Sequence, residues 1–264
     1  MATKVACIYV QDYKEKMSAH RDNRRYTKWD VESTAALLLR RFPRSHVWVV
    51  KSARMELGTF AIYANFVEWK STADGPGGPS HHPGQRSWHH LQQLMDSAVS
   101  RMSTCSENDD DTCSAATPGS QRDGIHSSSS PVILVGFSKG CVVLNQLAYD
   151  RAATLNAKSA EKDDVRAKEF AKLASEVYWL DGGHAGGRET WVTDDSVHKS
   201  LVGVSIHSHV TPYQVKDASR PWIGKEQKRF IAGLTKHNVT FTNTVHFADE
   251  QRSLENHFRV LQTF

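Results

Sequence analysis

The sequence predicts an α/β fold, a doubly wound and mostly parallel sheet of about six strands within a single domain covering residues 1–264. Three observations lead there. Short, nearly continuous apolar runs, Val5 to Val10 and Pro131 to Val135 above all, have the composition of parallel strands covered on both faces. Segments with apolar residues at helical spacing separate such runs, so strand and helix alternate as in βαβ units. A chain of 264 residues with 39% hydrophobic content can bury one core of this kind.

The elements follow in order. Val5 to Val10 reads as an inner strand. From Trp29 to Phe42 the apolar positions Val31, Ala35, Leu38, Leu39 and Phe42 recur at helical spacing, and Pro43 ends the pattern. His46 to Val50 supplies the next strand, parallel to the first through a right-handed crossover. Residues 71 to 87, rich in Gly, Pro, Ser and His, predict a loop, and Trp88 to Met102 a helix through Leu91, Leu94, Met95 and Val99. Residues 103–130 carry Asp109 to Asp111 and Ser127 to Ser130 with hardly a large apolar residue, which predicts a disordered insertion. Pro131 to Val135 then forms a strand, Cys141 to Arg151 a helix, and Lys158 to Ser175 a charged helix. Val177 to Leu180 is a strand that breaks at Asp181-Gly182-Gly183. Strands at Leu201 to Val210 and Val239 to Phe247, with a helix from Lys225 to Lys236 between them, complete the sheet. Ligands are expected at the carboxyl ends of its strands.

Composition narrows the function. The formal net charge is +4, but 33 Lys and Arg stand against 29 Asp and Glu, with no long basic run to act as a nucleic-acid arm. Cys7, Cys105, Cys113 and Cys141 have neither metal-ligand spacing nor the density of a disulfide framework, which favours a reducing compartment. No apolar run approaches the roughly 18 residues of a transmembrane span, and the first residues read as a strand rather than as a signal or presequence. No cofactor is expected.

The chemistry concentrates at Gly136-Phe137-Ser138-Lys139-Gly140. A G-x-S-x-G pattern alone is weak, but here it follows a buried strand and opens a helix, the setting of a strained turn that lifts a serine hydroxyl above the sheet in the α/β-hydrolase fold. Ser138 is then a nucleophile, and the backbone NH of Lys139 a donor to the oxyanion formed when Ser138 attacks an acyl carbon. The alternative is a tight turn with an inert, helix-capping serine. An acid and a histidine should follow in that order, each after a later strand. Asp217, beyond the strand ending at Val210, and His257, within Glu255-Asn256-His257-Phe258, satisfy this order. Asp181, at the end of the preceding strand, is the rival acid. His246 falls inside the last strand, and His184 is expected on the same rim. His207 and His209 share one strand face and with Asp181 would make three metal ligands, although two histidines on a covered strand are more often satisfied core groups, so no metal is expected. The His81-His82 and His89-His90 pairs read as solvated surface, and Trp29, Trp48, Trp179, Trp191 and Trp222 as core or pocket wall.

Several segments resemble one family in their wording. Val132 to Leu147, containing Gly-Phe-Ser-Lys-Gly-Cys, and Tyr178-Trp179-Leu180-Asp181-Gly182-Gly183-His184 are similar to the family of the human chromosome 2 open reading frame 69 protein. His209 to Val215, Trp222 to Glu226 and Glu255 to Val260 extend the resemblance over nearly the whole chain outside residues 70–87 and 103–130. It implies a mitochondrial protein of α/β-hydrolase type with serine esterase or lipase activity, with Ser138 as nucleophile and Asp217 and His257 in family motifs. Without it, a cytoplasmic location is the alternative. The family continues its first strand into a Pro-Gly-Asp turn, where this chain has Cys7-Ile8-Tyr9-Val10. The loop after that strand gives the second oxyanion NH in hydrolases of this type, so a catalytically silent binding or scaffold protein is the alternative function. The expected partner is a small-molecule or lipid acyl substrate, and no nucleic acid.

Overall fold

The computed structural model describes residues 3–8, 26, 28–56, 60–72, 75–105, 129–184 and 186–264. They begin with β1 (Thr3–Ile8), α1 (Val31–Arg41), β2 (Ser45–Val50), β3 (Arg54–Glu56), β4 (Phe60–Ile62), β5 (Glu68–Thr72), β6 (Gly75–Ser80) and α2 (Ser87–Cys105). β7 (Val132–Phe137) passes through a 3-10 turn, Ser138–Gly140, into α3 (Cys141–Asn156). α4 (Lys162–Lys172), β8 (Ala174–Leu180), α5 (Asp195–Ser200), β9 (Ser205–Val210), α6 (Pro212–Val215), α7 (Pro221–Lys236), β10 (Phe241–Val245) and α8 (Leu254–Thr263) follow.

Six strands form a parallel sheet in the order β2-β1-β7-β8-β9-β10, flanked by helices, as the alternation of apolar runs predicts. The chain steps from β1 outward to β2 and then returns to the other side of β1 with β7. The strand order therefore reverses between β1 and β7, and the crevice at their carboxyl ends is where open parallel sheets bind ligands. Ile8 pairs with Gly136 at that end, two residues before Ser138.

Burial explains the strand compositions. All six residues of β7 are buried, and Val5 to Ile8 of β1 are fully covered, so both strands are apolar throughout. The edge strand β10 is exposed beyond Phe241 and carries Thr242, Asn243 and Thr244 there. α3 is buried from Cys141 to Ala148, and its polar groups are satisfied internally. Asn145 donates to the Thr190 carbonyl at 3.0 Å and accepts from Trp179 Nε1 at 3.0 Å. Asp150 accepts from Gly84 N at 2.7 Å, Ser87 N at 2.9 Å and Ser87 Oγ at 2.6 Å, which ties the start of α2 to α3.

The structure differs from expectation in several places. Residues 71–87 are not one loop: Glu68–Thr72 and Gly75–Ser80 pair antiparallel. Glycine and proline suggest a loop from composition, but a Cβ on Gly78 would lie 3.0 Å from Gly186 Cα, so this strand is built of residues that fit against another backbone. Of the expected insertion, residues 103–105 complete α2, and 106–128 lie outside the described residues. The strand expected from Leu201 begins at Ser205, because α5, capped by Asp194 accepting from Ser196 N at 2.8 Å, runs to Ser200 and a turn follows. The last strand is the shorter Phe241–Val245, and the helix expected from Lys225 begins at Pro221. α8 was not anticipated. Ser253 caps it by accepting from Asn256 N at 3.1 Å.

Candidate active site

The turn after β7 holds Ser138 at φ 53°, in the left-handed region that a non-glycine residue enters only where its surroundings hold it. Close packing on either side does so. A Cβ on Gly136 would stand 2.6 Å from Leu144 Cδ1, and one on Gly140 would stand 2.1 Å from the Ile8 carbonyl oxygen. The two motif glycines thus let α3 start against β7 and let the end of β1 abut the turn. Lys139 is 8% exposed, with Nζ 4.5 Å from the centre of the Trp69 ring.

His257 and Asp181 meet at the same edge. His257 Nδ1 lies 2.7 Å from Asp181 Oδ2, and the two residues are 4% and 0% exposed. Asp181 also accepts from Thr211 N at 2.7 Å and Thr211 Oγ1 at 2.6 Å, so three donors fix its carboxylate. The His257 ring stacks on Phe137, the residue before Ser138, with centroids 4.7 Å apart, and Tyr213 closes another side at 5.2 Å. A carboxylate only accepts, so the proton of the neutral imidazole sits on Nδ1 and the lone pair on Nε2. Among the described residues no hydrogen bond joins Ser138 Oγ to His257 Nε2. Such bonds are often long before substrate binds.

The other residues picked out by sequence lie as follows. Asp217 is not against His257: its Oδ2 accepts from Arg220 Nε at 2.8 Å, its Oδ1 from Ser219 N at 2.9 Å, and Arg252 Nη2 is 3.3 Å away. Burial works to raise its pKa, but the Arg220 and Ser219 hydrogen bonds and the two guanidinium charges outweigh it and hold the carboxyl below its usual range. His257 lies in the first turn of α8, which begins after the Ser253 cap. His246 lies just beyond β10 and pairs with His209 Nδ1 at 2.9 Å. His207 Nδ1 meets Thr242 Oγ1 at 2.9 Å, so His207, His209 and Asp181 have separate partners. Among the described residues no group of three His, Cys, Asp or Glu is placed to hold a metal ion.

His184 is buried at 5% exposure, and its Nδ1 accepts from Gly186 N at 3.0 Å. Burial pushes its pKa down to about 4; the Glu189 carbonyl pulls the other way, and the Lys139 and Arg220 charges add smaller downward contributions. His81 differs from the expected solvated surface. Its ring stacks on Tyr149, its Nδ1 lies 3.4 Å from Gln146 Oε1, and burial first, then the nearby His184, takes its pKa down to about 3. His82 is exposed beside Glu68, as expected.

Sequence reasoning missed Thr211, Phe137 and Tyr213, whose roles depend on contacts between distant segments. It also missed Glu226, which accepts from the N–H groups of Glu189, Thr190 and Trp191 at 2.9, 2.8 and 3.2 Å and so pins the loop after Asp181. The segment from Tyr9 to Tyr13, which bears on a second oxyanion donor, lies outside the described residues. A cavity of about 450 Å³, lined by Lys4, His46, Trp48, Met95, Arg166 and Phe170 among others, opens toward the amino ends of β1 and β2 and contains none of the residues named above. Among the described residues no helix is long and apolar enough to cross a membrane.

The model of a family described as C2orf69 matches residues 8–130 and 100–240. The mouse mitochondrial protein C2orf69 homolog is 38% identical over 287 residues, an alignment covering 97% of this chain and 75% of that protein. The human mitochondrial protein C2orf69 is 37% identical over 294 residues, covering 97% and 72%. The zebrafish (Danio rerio) homolog is 36% identical over 257 residues, covering 97% and 70%. All three are named mitochondrial, in agreement with the location that the family resemblance implies. A solved structure of a Bacillus cereus protein superposes with a TM-score of 0.41 at 10% identity, over 99% of this chain and 58% of that one, a likeness too low to carry an argument.

Proposed function

The chain belongs to the C2orf69 family, and we propose that it is a mitochondrial serine hydrolase of the α/β-hydrolase type, cleaving an ester or thioester with Ser138, His257 and Asp181. The observation that carries this reading is the buried 2.7 Å contact of His257 Nδ1 with Asp181 at the edge where Ser138 is held at positive φ. Asp181 replaces Asp217 as the acid because Asp217 is committed to Arg220 and Arg252.

In this mechanism Ser138 Oγ attacks the acyl carbon while His257 Nε2 takes the hydroxyl proton. Asp181 holds the imidazole in the tautomer that can accept it and stabilises the imidazolium that results. Negative charge develops on the acyl oxygen, and in this reading the Lys139 backbone NH at the start of the helical turn donates to it. The C–O or C–S bond then breaks, the leaving alcohol or thiol takes the proton from Nε2, and water repeats the sequence on the acyl-serine.

A catalytically silent binding protein is the second reading. It is favoured by the departure at Cys7-Ile8-Tyr9-Val10 and by the missing Ser138 to His257 hydrogen bond among the described residues. Labelling with a fluorophosphonate probe separates the two, since it requires an activated serine but no natural substrate. The hydrolase labels in the wild type and not in Ser138→Ala, and equal labelling of both removes the assignment.

A further inference from the structure

The cavity at the amino ends of β1 and β2 follows from how two helices cover the sheet. The parallel register pairs Lys4 with His46 and Ala6 with Trp48, so Lys4, His46 and Trp48 share one face. α2 and α4 pack against each other over that face but leave the corner beside the edge strand open, and every residue of β2 stays partly exposed. The space that remains is about 450 Å³, within the roughly 300–1,000 Å³ of pockets that hold small molecules.

Its lining divides into an apolar body and a charged rim. Trp48 of β2, Met95 and Val99 of α2, Val165 and Phe170 of α4 and Leu173 supply the body. Val165 is 44% exposed, so this apolar surface runs out to the mouth. At the rim Asp96 accepts from Gln92 Nε2 and from Arg166 Nη2, a bond that ties α2 to α4 across the opening. Glu169 accepts from Lys172 at 2.7 Å. Lys4, Arg166 and Lys172 thus stand against Asp96 and Glu169, which leaves the site one positive charge in excess. Burial lowers the Lys4 pKa, and the Asp96 charge offsets this only in part, so the ammonium lacks solvation that an anion beside it would restore.

We propose that this cavity binds a small amphipathic carboxylate, with its hydrocarbon or aromatic body against Trp48, Met95 and Phe170 and its single negative charge toward Lys4 and Arg166. A neutral apolar ligand would leave the charge excess unanswered, and a dianion would exceed it. The site is separate from the serine and does not depend on how Ser138 is read. Four residues of β1, roughly 13 Å of strand, separate Lys4 from Ile8 at the opposite edge, and Val5 to Ile8 are fully buried between.

Titration calorimetry of the full chain with octanoate, and with octanol as its uncharged counterpart, tests the charge. Octanoate binds once per chain and at least about tenfold more tightly than octanol. Lys4→Met, a change at a partly exposed position, weakens octanoate about tenfold and leaves octanol within about threefold. A diazirine-bearing carboxylate, photolysed on the wild type and mapped by mass spectrometry, tests the place without any variant: it marks peptides of α2 and α4. Absence of octanoate binding, equal binding of octanol, or no effect of Lys4→Met overturns the proposal. Marking confined to the peptides that carry Ser138 and His257 overturns it too, and would put the carboxylate at the serine instead.

Discussion

Which carboxylate serves His257 turns on contacts a few ångströms long. Asp181 and Asp217 both follow strands and both precede His257 in the chain, so order alone leaves the choice open. Arg220 could be seen three residues after Asp217, but Arg252 reaches it from across the fold, and Thr211 reaches Asp181 across thirty residues. The account predicts that Asp181→Asn lowers ester turnover by about 10³ to 10⁴ through the wrong imidazole tautomer. Asp217→Asn leaves turnover within about threefold but costs on the order of 1–3 kcal/mol of stability, since it loosens hydrogen bonds from Arg220. Turnover and thermal unfolding of both variants check this, and the reverse pattern in turnover returns the role to Asp217. The position of Ser138 was legible because two glycines, a buried apolar strand and a helix all point to the same turn.

At the scale of elements, the turn between β7 and α3 depends on the absence of side chains. Gly140→Ala places a methyl group 2.1 Å from the Ile8 carbonyl oxygen, a backbone atom of the central sheet that cannot swing aside. The expected cost is about 3 kcal/mol, or on the order of 10 °C in Tm for a chain of this size, read by calorimetry. An unchanged Tm would mean that β1 does not abut the turn. Long periodic or fully apolar segments such as β7 and α1 could be read from sequence. β6 could not, because its Gly-Pro-Gly-Gly composition answers to the Gly186 backbone rather than to strand propensity. The missed α8 did leave a trace. Ser253 before Leu254, Phe258 and Leu261 has a helix cap and spacing, and reading it would have placed His257 on a rigid element.

For the molecule as a whole, the reversal of strand order between β1 and β7 falls at the end of β7 that leads into Ser138, the edge at which open parallel sheets generally bind ligands. The general alternation was visible from sequence, whereas the order of strands is set by crossovers and packing that no local pattern records. Several buried imidazoles add a global property. His184 and His209 titrate near 4 and His81 near 3, all below the 6.5 of an unfolded histidine and chiefly because burial penalises their charged forms. With the folded pKa depressed, the unfolded state binds more protons, so their contribution is complete above pH 6.5 and is lost as pH falls toward 4 and then 3. Urea unfolding should show several kcal/mol less stability at about pH 4 than at about pH 7. His184→Gln should flatten part of that slope, and an unchanged slope would mean that His184 is not neutral in the fold.

The most direct measurement is reaction of the folded chain with a fluorophosphonate, followed by mass spectrometry of the modified peptide. The account predicts one adduct, on Ser138, formed slowly or not at all when His257 is replaced by alanine. An adduct on another residue, or one on Ser138 that forms equally fast without His257, would contradict it.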